Sequence, residues 1–476
     1  MPQHDSLAYI ASTGAAALAV VLITHCLYRW RNPKVAGVLP PGSMGLPLVG
    51  EVLSLLLPCN SLDLHPFLKT RLQRYGRLFR TRILNKSVVV VADARSCHLI
   101  LQKGEDVCES WSLDTFAKIF QQNKVNVGDI HKYVRSSVLK QFGMEALAGK
   151  LISMLEEASR AALEHWEEQD SVEVKSASAR MALEFSTKQL ISADRLQSEK
   201  LGSSFFMLLR GFMSVPINLP GTTHHKCLKE HEKAISLIRG ILGDRFSNSD
   251  ASPDDLLSRM IRDRENYEFL TEDFVVKLLF GLVYVSVDSV AVILTLALKF
   301  LAENPKALKE LNDEHEAILK QREDSSTPLT WKEYKSMAFT HQVINETLRL
   351  ASISPGLFRR ARKDIKINGY TIPTGWVVLI ATSALHLDPE TYENPTEFNP
   401  WRWKEPSRAM VENFMPFGSG GKQCAGAEYT RVFLSTFLHI LVTNYRWKRV
   451  TGGEVRRTPI IKFEKGLHIE VVKGRV

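Results

Sequence analysis

Phe417-Gly418-Ser419-Gly420-Gly421-Lys422-Gln423-Cys424-Ala425-Gly426 decides how the rest of the chain is read. One cysteine sits in a glycine-rich loop, and an apolar, helix-compatible run starts near Ala427. A thiolate there is flanked by backbone N–H groups and a helix N-terminus, both of which stabilise negative charge on sulfur and tune its donation. Cys424 is therefore a candidate ligand; the competing account is a buried free cysteine in a glycine turn. Gly420 and Gly426 let the backbone approach a flat cofactor closely, and Phe417 can pack beside it.

Upstream, Glu346-Thr347-Leu348-Arg349 precedes Phe398-Asn399-Pro400-Trp401-Arg402-Trp403. Glu346 and Arg349 are i, i+3 neighbours on one helix face, and Arg402 can complete a bidentate carboxylate pairing. ExxR alone is weak, since it occurs five times, starting at Glu157, Glu346, Glu405, Glu428 and Glu454. Only the spacing from Glu346 to Arg402 and Cys424 separates it from ordinary surface ion pairing.

FxxGxxxCxG followed by AEYTRVFLSTFL resembles the cysteine-ligand loop of the haem-thiolate monooxygenases, the cytochromes P-450. The resemblance covers nearly the whole chain, with the ExxR helix and its arginine partner in family order. His131-Lys132-Tyr133-Val134-Arg135 resembles the family's WxxxR with histidine in the tryptophan place, and Arg359 matches a second position of the same kind. The resemblance implies that Arg135 and Arg359 reach the haem propionates; the alternatives are solvated arginines and a packing role for His131. Val285-Ser286-Val287-Asp288-Ser289-Val290, inside a long helix expected over 271–303, aligns with [AG]Gx[DE]T[TS]. In that motif small residues open a notch for dioxygen, while an acid and a hydroxyl relay protons. Asp288 and Ser289 fit the relay. Val285 and Ser286 depart from the usual small pair, Val290 replaces the second hydroxyl, and Lys422 stands where the family has arginine.

His224, His225, Cys227 and His231 have nominal metal-ligand spacing. Their surroundings, residues 216–226, resemble a loop of the plant clan that oxidises sterols, brassinosteroids and triterpenes, and Gln423 to Tyr429 is most similar to its triterpenoid oxidases. The implied fold is mainly α with small β-sheets. The implied cofactor is haem b on an axial Cys424 thiolate, with electrons from NADPH through a separate flavoprotein reductase, since no GxGxxG holds a reductant here. The implied substrate is a bulky, apolar, polycyclic triterpene or sterol. By analogy, its pocket draws on 105–125, 205–216, 280–290, 352–358 and Gly466 to His468. Two other classes stay open on the same departures: a reductase-independent isomerase or dehydratase, and a non-catalytic haem-binding membrane protein.

The remaining sequence agrees with that frame. The 476 residues are 45% hydrophobic and 24% charged, which excludes disordered and low-complexity architectures. A mean hydropathy of −0.10 excludes a multi-span membrane protein but leaves room for one span. The net charge of +9 comes without zinc-finger spacing or an RNA-recognition signature, so no nucleic-acid partner is expected. Six scattered cysteines without CxxC argue for a reducing compartment.

Leu7 to Tyr28 is uncharged and about 22 residues long, enough to cross a hydrocarbon core of about 30 Å. Arg29, Arg31 and Lys34 follow it and leave everything after it cytosolic; the location that the resemblance implies is the endoplasmic reticulum membrane. A cleaved signal peptide competes, but the leader carries Asp5 in place of a basic region. The expected organisation is an anchor over 1–28, a basic, proline-rich linker over 29–47 and one catalytic domain over 48–476. Helices are expected over 145–168, 228–246, 271–303, 305–322 and 331–350. Strands are expected at 78–83, 87–91, 365–367, 377–380 and 467–472.

Overall fold

The computed structural model describes residues 16, 18–30, 32–33, 35–47, 49–59, 61–111, 127–211, 218–247, 253–324, 327–354, 356–458 and 460–474. Along the chain come α1 (Pro66–Tyr75), β1 (Leu78–Ile83), β2 (Lys86–Val91), α2 (Ala94–Gln102) and β3 (Cys108–Ser110). The long middle holds α3 (Val127–Phe142), α4 (Ile152–Glu167), β4 (Val172–Glu173), α5 (Val174–Ile191), α6 (Arg195–Gly211), α7 (Thr223–Ser247), α8 (Leu256–Asp263), α9 (Glu272–Glu303), α10 (Pro305–Lys320) and α11 (Ala338–Ala351). Then follow β5 (Leu357–Ala361), β6 (Ile365–Ile367), β7 (Tyr370–Ile372) and β8 (Val377–Ile380). The chain closes with α12 (Ala427–Asn444), β9 (Tyr445–Gly452), β10 (Val455–Thr458), β11 (Ile460–Phe463) and β12 (Leu467–Lys473). The stretch expected as one domain separates by its own contacts into two compact units.

The first unit takes residues up to Cys59, Asp63–Trp111 and Ser354–Leu385. Its sheet runs β1-β2-β8-β5-β3, antiparallel except for the parallel β2/β8 pair. Val88–Val91 and Val377–Ile380 are buried throughout, as central strands covered on both faces require. An apolar helix, Leu18–Trp30, precedes this sheet in sequence. The earlier part of the expected membrane span, residues 7–15 and 17, lies outside the described residues, as do 112–125 and 212–216 of the expected pocket and Pro355 beside Arg359.

The second unit, Asn60–Leu62, Ser112–Ile353 and His386–Val476, is helical and carries the sheet β4-β12-β9 and the hairpin β10-β11. Its axis is α9. Thr271 caps it by accepting from the Phe274 N–H at 3.2 Å, Glu272 and Asp273 suit its positive end, and Pro305 opens the next helix. Apolar enough to cross a membrane, α9 instead buries most of its middle in this unit's core. Its closest packing partner is α5, in which 12 of 18 residues are buried.

Three expectations change. The helix expected over 145–168 is interrupted by a π turn at Leu147–Leu151. The one expected over 331–350 breaks at Met337, after a short helix, Trp331–Ser336, that a Thr330/Glu333 capping box starts. The third, expected over 228–246, begins earlier, at Thr223.

Candidate functional site

The Cys424 loop is built by backbone bonds that its glycines permit. Gly418 and Gly420 take φ of 71° and 74°, the left-handed region that disfavours any Cβ. The Gly418 N–H donates to Met415 O at 3.1 Å, and the Gln423 N–H to Gly420 O at 3.1 Å. The Cys424 N–H closes the loop on Phe417 O at 2.9 Å. Next, α12 starts at Ala427, its first turn held by the Thr430 N–H and hydroxyl on Gly426 O, both at 2.9 Å. Cys424 thus stands three residues before the positive end of an 18-residue helix.

Of the second unit's described cysteines, Cys227 is buried and donates to Met207 O, whereas Cys424 is solvent-accessible. The Cys424 sulfur is nonetheless walled by protein, so burial raises its thiol while the Gly426 N–H and the Arg135 charge pull it down. A Cβ placed on Gly421 would meet nothing within 4 Å, and one on Gly426 only the sulfur at 3.8 Å, so a flat group finds open ground beside the loop.

Arg135 donates to the Gln423 carbonyl next to the cysteine. One turn earlier on α3, His131 is half-buried, and desolvation with the Arg135 charge lowers its imidazole. Tyr133, on another face of α3, bonds Asp263 at 2.8 Å and fixes the helix. Burial lowers the Lys422 ammonium. The Arg431 guanidinium stacks 5.3 Å from the Phe417 ring centre and donates to Asn345 at 2.6 Å, holding that ring from behind. Soft thiolate sulfur with cations beside it is a donor set suited to a haem with its propionates.

Glu346, Arg349 and Arg402 do meet. Arg349 grips Glu346 with Nε at 2.9 Å and Nη2 at 2.7 Å, and both side chains are fully buried. Here the expected roles change: the bidentate pairing is Arg349's own, and Arg402 adds one bond, Nε to Oε1 at 3.0 Å. Sequence reasoning missed the fourth member, Trp403, whose indole N–H donates to Oε2 at 2.9 Å. Arg349 Nη1 also reaches the His386 and Pro395 carbonyls at 2.8 and 2.7 Å. His386 extends the knot to the cysteine loop: its Nε2 accepts the Met415 N–H at 3.0 Å, so Nδ1 carries the proton to Ser352 Oγ at 2.9 Å.

On α9, Val285 leaves 52% of its surface exposed in the middle of a mostly buried helix. Ser289, one turn on, donates to the Val285 carbonyl at 2.7 Å. The Ser286 hydroxyl bonds Ser186 of α5 at 3.0 Å and the Val283 carbonyl at 3.0 Å. Asp288 pairs with Lys175 of α5 at 2.9 Å.

In the first unit, Arg359 lies on β5 opposite Ser110, its Nη1 on the Phe358 carbonyl at 2.9 Å. Burial lowers its guanidinium, and burial pushes the nearby Cys108 thiol up to about 11. The His224, His225, Cys227 and His231 side chains are not brought together. His225 bonds Asn218 at 2.8 Å and His231 meets the Phe280 ring edge-on, and no metal-holding group of three occurs among the described residues.

Residues 40–467 match the family model described as Cytochrome P450. The chain is 46% identical to cucurbitadienol 11-hydroxylase of Siraitia grosvenorii, covering 96% of this chain and 98% of that one. It is 45% identical to beta-amyrin 16-alpha-hydroxylase of Maesa lanceolata, with the same coverage. Cholesterol 16,22-dihydroxylase of Trigonella foenum-graecum is 32% identical over 95% of this chain and 96% of its own. A retinoic acid bound cyanobacterial CYP120A1 superposes with a TM-score of 0.81 over 92% of this chain and all of its own, at 23% identity, and shares the fold. The chain therefore belongs to the cytochrome P450 family: it is a monooxygenase that holds haem on a cysteine thiolate, takes electrons from a redox partner and acts on a hydrophobic substrate.

Proposed function

We propose that this monooxygenase hydroxylates an unactivated C–H of a bulky, apolar, polycyclic triterpene or sterol in plant specialised or steroid metabolism. What carries the reading is the 46% identity, over nearly both full lengths, to an enzyme named for hydroxylating cucurbitadienol. The proposed setting is the endoplasmic reticulum membrane, single-pass, with residues 1–28 as anchor, 29–47 as linker and 48–476 as catalytic domain on the cytosolic side. The proposed electron donor is an NADPH-dependent flavoprotein reductase.

Cys424 is the proposed iron ligand. Bound there, a haem would supply dioxygen activation, which the electron density donated by a thiolate would assist. The Gly426 N–H and the Arg135 charge favour the ionised sulfur against a larger opposing effect of burial, and Phe417 would pack beside the bound group. Lys422 and Arg135 offer cations to propionates, Lys422 as a point charge where an arginine would bind bidentately. Asp288 and Ser289 would move protons into the site, beside the exposed Val285 side chain.

The test is the reduced carbon-monoxide difference spectrum in microsomes, with and without Cys424→Ala, followed by a triterpene and sterol panel. A red-shifted thiolate-type band lost in the variant, and a hydroxylated triterpene or sterol, are expected. A normal thiolate spectrum in Cys424→Ala removes the ligand assignment. Product from none of the panel, by protein with a normal spectrum, removes the substrate class.

A further inference from the structure

Positive charge is concentrated in one stretch of the sequence. Residues 446–476 hold nine Lys and Arg against three Glu, so these 31 residues supply most of the chain's net charge of +9. The described part of the stretch forms β9 to β12, and with the last turns of α9 and Ser61–Leu62 it lines a cleft of about 700 Å³ on the second unit. None of the lining residues belongs to the Cys424 loop or to the knot around Glu346.

The two turns that frame the cleft are bonded to each other. The Gly453 N–H donates to Gly466 O at 2.7 Å, and a Cβ on Gly452 would meet that same oxygen at 2.2 Å, so glycine alone permits the approach. Four cations converge there from separate elements: Lys299 of α9, Arg449 of β9, Arg456 of β10 and Lys465 between β11 and β12. Glu303 answers two of them, accepting Lys299 Nζ at 2.6 and 2.5 Å and Arg449 Nη1 at 2.8 Å, and Glu464 answers Arg456. Arg449 Nε and Nη2 and the Lys465 ammonium have no such partner among the described residues. The remaining carboxylate of the lining, Glu454, is solvent-exposed.

The cleft therefore offers donors from more than one direction and more cation than its carboxylates match. A phosphate monoester has three terminal oxygens and close to two negative charges at neutral pH, so it can take an arginine fork and a lysine together; a carboxylate, with two oxygens and one charge, satisfies fewer of them. The volume exceeds what a bare phosphate fills and falls within the range of small-molecule sites, and Leu62, Val450 and Val455 give the lining an apolar part for an organic body. We propose that this cleft binds a phosphate monoester, carried by a soluble small molecule or by a lipid headgroup. Arg449 Nε and Nη2 and Lys465 Nζ are its donors, and Lys299 and Arg456 supply the surrounding charge. The Glu303 pairs stay in place, since Arg449 meets Glu303 through Nη1 alone.

The test is titration calorimetry of the full chain in phosphatidylcholine nanodiscs, with phenyl phosphate as the probe and benzoate as its carboxylate counterpart. Phenyl phosphate is expected to bind with a stoichiometry of one, and benzoate about tenfold more weakly or not at all. Arg449→Met/Lys465→Met is expected to weaken phenyl phosphate binding about tenfold or more, the loss that removed charge-assisted bonds produce. Lys462→Met removes an exposed cation of β11 that does not line the cleft, and is expected to leave the affinity unchanged. Each variant is compared only where its reduced carbon-monoxide spectrum and thermal midpoint match those of the parent protein.

A second arm separates the two sources of the phosphate. Part of the phosphatidylcholine is replaced by phosphatidic acid, a lipid phosphate monoester, or by phosphatidylserine at matched surface charge. Weaker phenyl phosphate binding in the phosphatidic acid discs than in the phosphatidylserine discs identifies the lipid headgroup as occupant; equal binding in the two identifies a soluble ligand. Absence of phenyl phosphate binding to the parent protein overturns the proposal, as does an affinity that Arg449→Met/Lys465→Met leaves unchanged. Benzoate binding as tightly as phenyl phosphate, or Lys462→Met costing as much as the double change, would reduce the cleft to a diffuse basic surface and overturn it equally.

Discussion

Glu346 concentrates more of this molecule's polar specificity than any other carboxylate described, because four groups donate to a side chain with no access to water. Arg349 gives two bonds, Arg402 one, Trp403 one, and the Asn399 N–H a fifth at 3.1 Å. Removing one partner of a buried ion pair leaves an uncompensated charge and costs about 3–5 kcal/mol. Arg349→Ala falls in that class, since it also abandons the His386 and Pro395 carbonyls. Arg402→Ala leaves the Arg349 fork intact and should cost about 1–3 kcal/mol, and Trp403→Phe less than Arg349→Ala for the same reason. Denaturant midpoints should rank Arg349→Ala as the most damaging; an Arg402→Ala variant at least as unstable would refute this division of roles. The trio was legible because two arginines and a glutamate recur in order before the cysteine. Trp403 was not, because an indole N–H used as a hydrogen-bond donor leaves no trace in spacing or charge. Lys175 was hidden for a related reason: a pair 113 residues apart has no local pattern.

Helices reveal themselves in sequence by having two faces, and the elements that were missed lack that asymmetry. In α5, burial surrounds the axis, so Ser178, Ala179, Ala182, Ser186 and Thr187 face protein as Leu183 and Leu190 do, and no apolar stripe emerges. By contrast, α9 was legible through its length and uninterrupted apolarity, and the interruption at Met337 was not, since no glycine or proline marks it. Packing between α10 and α12 carries a measurable consequence. His315 and His439 touch through Nδ1 atoms 2.9 Å apart in the core, so at least one ring must be neutral. Burial lowers His315 well below the ordinary value of 6.5 and takes His439 to about 3, with Arg322 and Arg160 adding repulsion. His386, buried near Arg349 and Arg457, is also lowered to about 3. Below pH 6.5 the unfolded imidazoles bind protons that the folded ones refuse until about pH 3. The stability these groups contribute is thus complete above pH 6.5 and lost as pH falls through that window. At pH 5 the loss is about 2 kcal/mol for each of His386 and His439. The urea midpoint should drop between pH 7.5 and 5.0, and His439→Gln should flatten the drop; a midpoint independent of pH would show that these imidazoles are protonated in the fold.

At the scale of the whole chain, the apolar material divides between residues that protein covers and residues that it does not. Leu18, Val20, Val21, Leu22 and Ile23 each expose between 55% and 62% of their surface, a row without the polar face that a water-soluble helix keeps. At about 1.5–3 kcal/mol for each large apolar side chain taken out of water, covering this row yields far more than one surface charge could. An α-helix such as Leu18–Trp30 pairs its backbone groups within itself except at its ends, which is the condition for a segment to sit in hydrocarbon. Its 13 residues reach about 20 Å of the roughly 30 Å required, and the uncharged residues from Leu7 onward complete the proposed span. Arg29 and Arg31 at its end would stay with the lipid headgroups, and the remaining chain, which carries every other Lys and Arg of a protein with net charge +9, would face the anionic cytosolic surface. Removing residues 1–28 should therefore move the protein from the alkaline-carbonate-resistant membrane pellet to the fraction that alkali or high salt releases. The reduced carbon-monoxide spectrum should persist, because the family match begins only at residue 40. A truncated protein still resistant to carbonate would place the main membrane attachment in the catalytic domain, and one that lost its thiolate spectrum would make the leader part of the fold.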